Sequence, residues 1–288
     1  MRAPRPRATP RPTPPVATAP SSSSYSLPQS IAAEDSLEPP VPDAAPASAE
    51  RSVESADSAP AAQQPPQPVR ALPRKGRIAY TAYFGEDRFA VGKTVQTWEA
   101  DSEGYKLGSV SETTGIVELF RSQRHIYLSE GRFTARGLQP RKFFMSRTRR
   151  GRTEAAQALF DWDAGTLTFG RVPQRRTAAL PAGAQDIVSF MYQLALSPPA
   201  PGRVRLPITN GSRFETYDLE VLEVERIETP LGILRALPVK QVPRPGDESV
   251  AIWLAVDYRH LPVKIRFFDD RGRLAGEQVV DAIEVSEE

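Results

Sequence analysis

Two histidines, His125 and His260, are the only side chains here that ordinarily titrate near neutral pH, and cysteine is absent. The lack of thiols excludes disulfides, thiolate zinc sites and thiol nucleophiles together. Neither histidine has a second ligand at metal spacing, and histidine–carboxylate catalysis would need partners from far along the chain. No serine stands in a G-x-S-x-G elbow. Asp161 with Asp163 and Asp269 with Asp270 are paired carboxylates, but both pairs sit where the composition asks for a turn, a place aspartate fills by accepting nearby amides. Residues 85–94, GEDRFAVGKT, echo a phosphate loop; that loop needs four residues between its glycines, and Gly85 and Gly92 have six between them. Asn210-Gly211-Ser212 fits a glycosylation sequon, and turn chemistry accounts for it better. No metal, cofactor or catalytic set emerges, and a non-enzyme is expected.

The remaining chemistry is that of binding. Arg132, Arg136, Arg141, Lys142, Arg147, Arg149, Arg150 and Arg152 follow one another without an intervening acid, interleaved with Phe133, Phe143 and Phe144. Such a run suits an anionic lipid, an envelope polymer or RNA, with Arg141, Lys142, Arg147 and Arg149 as its candidate contacts. The alternative is a solvated or self-paired face, neutralised by the acidic strand of Glu215, Asp218, Glu220, Glu223, Glu225 and Glu228 lying opposite in a sheet. Arginine is also this chain's default cation, outnumbering lysine 31 to 6. The net charge of +2 gives no global field, so nucleic acid is not the expected partner. Candidate apolar contacts are Phe190, Met191 and Leu194, with Trp253 and Trp162 as walls.

These residues need elements to position them. Residues 185–196, QDIVSFMYQLAL, carry a helical signature: Ile187, Val188, Phe190, Met191, Leu194 and Ala195 recur at three- and four-residue spacings. Asp186 is the N-cap candidate, and the prolines at 198, 199 and 201 stop the helix. Elsewhere from Gly76 onward, strands alternate with turn residues. They are expected at 77–84, 91–99, 105–112, 125–128, 141–148, 157–162, 166–171, 203–209, 213–228, 232–241, 249–258, 262–268 and 274–285. Asn210-Gly211 is the strongest hairpin signal. The expected fold is mainly β: a curved antiparallel meander, half-barrel or partly closed barrel, with one packed helix. Leu138 to Phe144 and Leu261 to Phe268 echo each other as strand entries. Residues 1–75 hold 17 of the 29 prolines and one aromatic, so they read as a disordered linker ahead of a single domain at 76–288. No apolar run reaches membrane-helix length, and no signal follows Met1.

Several features in order resemble the bacterial domain-of-unknown-function 3108 family. They are Val91-Gly92 leading to Trp98, Gly137-Leu138-Gln139-Pro140, Gln185-Asp186 with Ser189-Phe190 and Tyr192-Gln193-Leu194, Glu228-Thr229-Pro230-Leu231-Gly232, Trp253-Leu254, and Leu261-Pro262-Val263-Lys264-Ile265. The resemblance runs from about Gly76 to the C-terminus. It implies a periplasmic or envelope β-domain, often behind an N-terminal anchor and a proline-rich stalk, and it carries no catalytic residues. An anchor upstream of Met1, lost to a late start, is part of that expectation. The end strands also resemble lipoprotein carriers of the LolA and LolB type. Two functions follow: an envelope domain holding an apolar or lipid-like ligand between sheet and helix, or an envelope scaffold for a protein partner with an ordinary packed core. Pockets and cores use the same residue types, so the two are not separable at this level.

Overall fold

The structure, a computed structural model, describes residues 71–115, 117–118 and 122–286. Residues 1–70 of the expected linker lie outside them. Among the described residues, sixteen strands form one sheet. The first meander is β1 (Lys75–Phe84), β2 (Phe89–Ala100), β3 (Tyr105–Thr113), β4 (Gln123–Thr134), β5 (Gly137–Arg149), β6 (Arg152–Asp161), β7 (Thr166–Gly170) and β8 (Arg175–Ala179). The chain then crosses through β9 (Gln185–Asp186) and the helix α1 (Ser189–Leu196). The second meander is β10 (Gly202–Thr209), β11 (Phe214–Val221), β12 (Glu225–Thr229), β13 (Gly232–Gln241), β14 (Ser249–Ala255), β15 (Leu261–Phe268) and β16 (Leu274–Ser286). The spatial order is β8-β7-β6-β5-β4-β3-β2-β1-β16-β15-β14-β13-β11-β10-β9, with β12 paired to β13 alone. The two meanders therefore meet along β1 and β16, and the β9–β10 pair is the parallel exception.

The sheet curls until its two ends approach without a continuous ladder. At that seam the Gly170 amide donates to the Gly211 carbonyl at 2.8 Å, the Arg176 guanidinium to the Ser212 carbonyl at 2.7 Å, and Phe169 meets Phe214. Lower down, the Gln185 side-chain amide donates to the Leu138 carbonyl at 3.0 Å. The helix lies inside, against β5 and β15, the two strands whose entries echo each other in sequence. Seven of its eight residues are buried, so no polar stripe separates them. Burying a large apolar side chain is worth about 1.5–3 kcal/mol, and Phe190, Met191, Leu194 and Leu196 are among those here that collect it. Leu72 and Pro73 close the floor of the barrel beside Leu196 and Leu261.

The expected strands are present, but 125–128 is only the middle of the longer β4, β6 starts five residues before the expected 157, and other differences are larger. The helix starts at Ser189 rather than 185, because Gln185 and Asp186 extend β10 as β9. Asp186 still caps it, from two residues before the structural N-cap Val188: its Oδ1 accepts the Val188 and Ser189 amides at 2.9 and 2.8 Å. The expected strand 213–228 is broken into β11 and β12, and 249–258 ends in a 3-10 turn at Val256–Tyr258. Strand β8, RRTAA, has no alternation to announce it, being an exposed edge. The Asn210-Gly211 turn does join β10 to β11, with Asn210 Oδ1 accepting the Ser212 and Arg213 amides.

Candidate functional site

The strands turn their inner faces on a cavity of ≈ 160 Å³ in the half of the barrel away from Leu72. A water needs about 10–15 Å³ of such space, so there is room for roughly ten. Its two walls have opposite character. Inward positions alternate along a strand, and in β2, β3 and β4 they change from apolar to polar towards the mouth. In β2 the register runs Trp98, Gln96, Thr94; in β3 it runs Tyr105, Leu107, Ser109, Ser111, Thr113; in β4 Gln123, His125 and Tyr127 complete the wall. Opposite stand Ile187, Val188, Phe190 and Met191 from the helix entry, Ile208, Leu219, Val250, Ile252, Ile265 and Phe267.

The polar wall is ordered. The Thr94 hydroxyl donates to Ser111 Oγ at 2.8 Å, and Thr113 Oγ1 accepts the Gln123 amide at 3.0 Å. Gln96 Oε1 accepts the Tyr192 hydroxyl at 3.1 Å, tying this wall to the helix, while the Tyr80 hydroxyl donates to the Pro262 carbonyl at 2.7 Å. His125 Nδ1 lies 3.4 Å from the Tyr127 hydroxyl. Burial, and secondly the Arg147 guanidinium on the neighbouring strand, lower the His125 pKa to about 4, so its ring is neutral at pH 7. Burial pushes Tyr127 up to about 12. Across the cavity, burial and then the Asp270 and Asp269 charges raise the Glu248 carboxyl. Glu277, also on the lining, is held by Arg88, Arg266 and Lys264 at 2.9, 3.0 and 3.6 Å.

Of the apolar residues singled out from sequence, Phe190 and Met191 line this cavity. Leu194 is buried in the core below it. Trp253 is on the other face of the sheet: Lys264 and Arg266 lie over its ring and Glu225 of β12 accepts its N–H at 2.6 Å. Trp162 stacks on Phe160 and donates to the Pro140 carbonyl, away from the cavity. The basic candidates also separate. Arg147 pairs across the ladder with His125, and Arg149 lies further along the same strand towards its hairpin end. Arg141 and Lys142 are exposed lower on β5, at the irregularity opposite Glu130 and Gly131. The acidic strand does not lie opposite them: β11 pairs with β10 and β13, and its Asp218 and Glu215 pair with Arg205 and Arg244.

The two histidines stand at opposite ends of the barrel, His260 following the 3-10 turn near the floor. Asp161 and Asp269 are turn residues, accepting the Ala164 amide and the Arg271 and Arg273 amides respectively. GEDRFAVGKT is the β1–β2 hairpin. Among the described residues no group of three or more His, Asp or Glu is placed to hold a metal, and no helix is long and apolar enough to cross a membrane. Sequence reasoning missed Thr94, Gln96, Ser109, Ser111, Thr113 and Gln123. Their signal was polar residues in the register set by Trp98, Tyr105 and Leu107.

The motif residues turn out to hold the helix in place. Asp186, fully buried, accepts the Ser129 hydroxyl at 2.6 Å besides its two amides. Gln193 accepts the Leu138 amide at 2.7 Å and donates to the Arg136 carbonyl at 2.9 Å, gripping the β4–β5 turn. Trp98 donates to the Pro73 carbonyl at 2.9 Å and packs on Tyr192, and a Cβ on Gly76 would overlap its indole.

Among solved structures, a β-barrel-like protein of domain of unknown function DUF1849 from Brucella abortus is similar over 75% of this chain and 99% of its own, at 12% identity and a TM-score of 0.50. A protein with a YmcC-like fold from Bacteroides fragilis covers 75% of this chain and 98% of its own, at 12% identity and a TM-score of 0.29. The first likeness concerns fold alone. No curated protein matches the chain. The family described as "Protein of unknown function (DUF3108)" matches residues 79–278, a stretch that includes the helix and the residues that hold it, and the chain belongs to that family.

Proposed function

We propose that this domain is a non-enzymatic binding module of the cell envelope that takes an amphiphilic, lipid-like molecule into its barrel. The observation that carries this reading is the two-sided cavity. Thr94, Gln96, Ser111 and Thr113 have partners of their own, yet with Ser109 and Gln123 they line an open space of ≈ 160 Å³ opposite an apolar wall, whereas a packed core closes such space with apolar side chains. An acyl chain would lie on Phe190, Met191, Ile252 and Ile265, and its polar end would face the hydroxyls and amides. The envelope address rests on the family resemblance in the sequence.

Native mass spectrometry of the full chain, purified gently from the periplasm of a bacterial host, tests this. A discrete added mass is expected, removable by delipidation and absent from a Ser111→Phe variant that melts like the wild type. A bare mass after incubation with envelope lipids would contradict the proposal, and the scaffold reading would then replace it.

A further inference from the structure

The inward positions of β2, β3 and β4 form rows across the ladder. Gln96, Ser109 and Tyr127 make the deepest, Thr94, Ser111 and His125 the next, and Thr113 with Gln123, whose amide it accepts, the last. Neighbours within a row stand about 4.5–5.5 Å apart at Cβ, and rows follow about 7 Å apart along the strands. On this grid Ser109 Oγ, the Gln123 side-chain amide and Gln96 Nε2 form no hydrogen bond with any described residue. None of them is among the six described polar atoms that are both partnerless and sealed from solvent. Their residues are only 5%, 6% and 2% exposed and all line the cavity, so the space these atoms face is the cavity itself.

These open groups are all uncharged, and the charges around them are turned away or sealed. Lys93 and Glu112 alternate with inward Thr94 and Ser111, stand opposite each other in the ladder and are exposed. Glu277 is held by Arg88, Arg266 and Lys264, the last two lying over Trp253 on the outer face. The His125 ring is neutral at pH 7 and its Nε2 is sealed. Glu248 stands at the mouth, just before β14, with one carboxylate oxygen sealed. Among the described residues, no cation therefore faces the interior.

Taking the amphiphile reading as its basis, we infer that the wall of Gln96, Ser109 and Gln123 is a subsite for an uncharged, hydroxyl-bearing head group, such as the glycerol of a monoacylglycerol. Such a head donates to Ser109 Oγ and the Gln123 side-chain oxygen, and accepts from the Gln96 and Gln123 amides. A carboxylate or phosphate brought to the same place would lose its water and gain no counter-ion. An ammonium would also lose its water, and would meet the Gln96 N–H donors. The head group therefore selects a neutral ligand, and the apolar wall accepts any chain that fits.

Isothermal titration of the full chain with probes of one chain length, below their micellar concentrations, tests the inference. The probes are a monoacylglycerol, the free fatty acid, its methyl ester, an alkyltrimethylammonium and chainless glycerol. The monoacylglycerol should bind about tenfold or more tighter than the fatty acid and the ammonium. The methyl ester, which lacks the hydroxyls, should fall between. Ser109→Ala should bring the monoacylglycerol close to the methyl ester. Gln123→Lys should reverse the order of monoacylglycerol and fatty acid by supplying the missing cation. Melting curves identify any variant that fails to fold, and the wild-type ranking stands as a test without them. Fatty acid, ammonium or methyl ester binding as tightly as the monoacylglycerol would overturn the head-group inference and leave the cavity reading intact. No binding of any chain-bearing probe would overturn both. Binding of glycerol as tight as that of its acylated form would make the site one for a free solute and overturn the inference.

Discussion

Replacing Asp186 by alanine should separate a structural from a ligand-contacting role for the Gln185-Asp186 pair. The wild-type carboxylate accepts three hydrogen bonds, from the Val188 and Ser189 amides and the Ser129 hydroxyl, at 2.9, 2.8 and 2.6 Å. Alanine strands two amides at a helix start where water cannot reach, at about 1–3 kcal/mol each. Removing a carboxylate whose burial raises its own pKa returns part of that, so the net loss should be about 3 kcal/mol. For a domain of this size that lowers Tm by about 6–12 °C. Asparagine keeps the acceptor for both amides and offers an N–H to Ser129, so Asp186→Asn should lose no more than about 1 kcal/mol. The pH dependence has a definite sign. A raised folded-state pKa makes this site's contribution most favourable below the unfolded carboxylate pKa, and that contribution falls as pH rises through the folded value. Wild type should therefore gain on Asp186→Asn upon acidification. Urea midpoints at pH 7 and near pH 4 measure both effects. An alanine variant no weaker than the asparagine one would refute the capping argument.

Gly76→Ala would drive a methyl into the Trp98 indole; overpacking of this kind costs about 1–3 kcal/mol, and a Tm unchanged within error would contradict the packing described. Gln193→Ala should cost about 1–3 kcal/mol through the lost bonds to Leu138 and Arg136, read as a urea midpoint, while leaving the ranking of bound amphiphiles unchanged. His125 should contribute stability that is complete above pH 6.5 and lost as pH falls towards its folded value of about 4, up to about 3 kcal/mol. Denaturation of wild type and His125→Gln across that range should show the variant losing less; parallel curves would remove the assigned cause.

How far the sequence reached can be seen residue by residue. The strands were legible because turn residues punctuate them, and the helix because Phe190, Met191 and Leu194 recur at its period. The helix start was not, because Asp186 caps from within a strand that pairs with β10, a contact invisible locally. Strand β12 separated from β11 for the same kind of reason: β13 pairs with β12 along its first half and with β11 and β14 along its second. The candidate site was half legible. Trp253 looked like a wall because tryptophan is large and apolar, yet its register with Lys264 places it outside, under β12. The Ser109-Val110-Ser111 stretch hid the cavity, since Val110 reads as the buried residue. The inward register belongs to the serines, fixed by Tyr105 and Leu107 at the other end of β3. Arg147 could not be told from its neighbours until its strand was paired with His125.

The central claim is that the barrel holds an amphiphile between its two walls. A crystal structure of the full chain with a monoacylglycerol tests it most directly. The account predicts the acyl chain against Phe190, Met191 and Ile252, with the head among Ser109, Ser111 and Gln123. A ligand ordered on the outer face of the sheet, or an interior filled by its own side chains with no room for the chain, would contradict it.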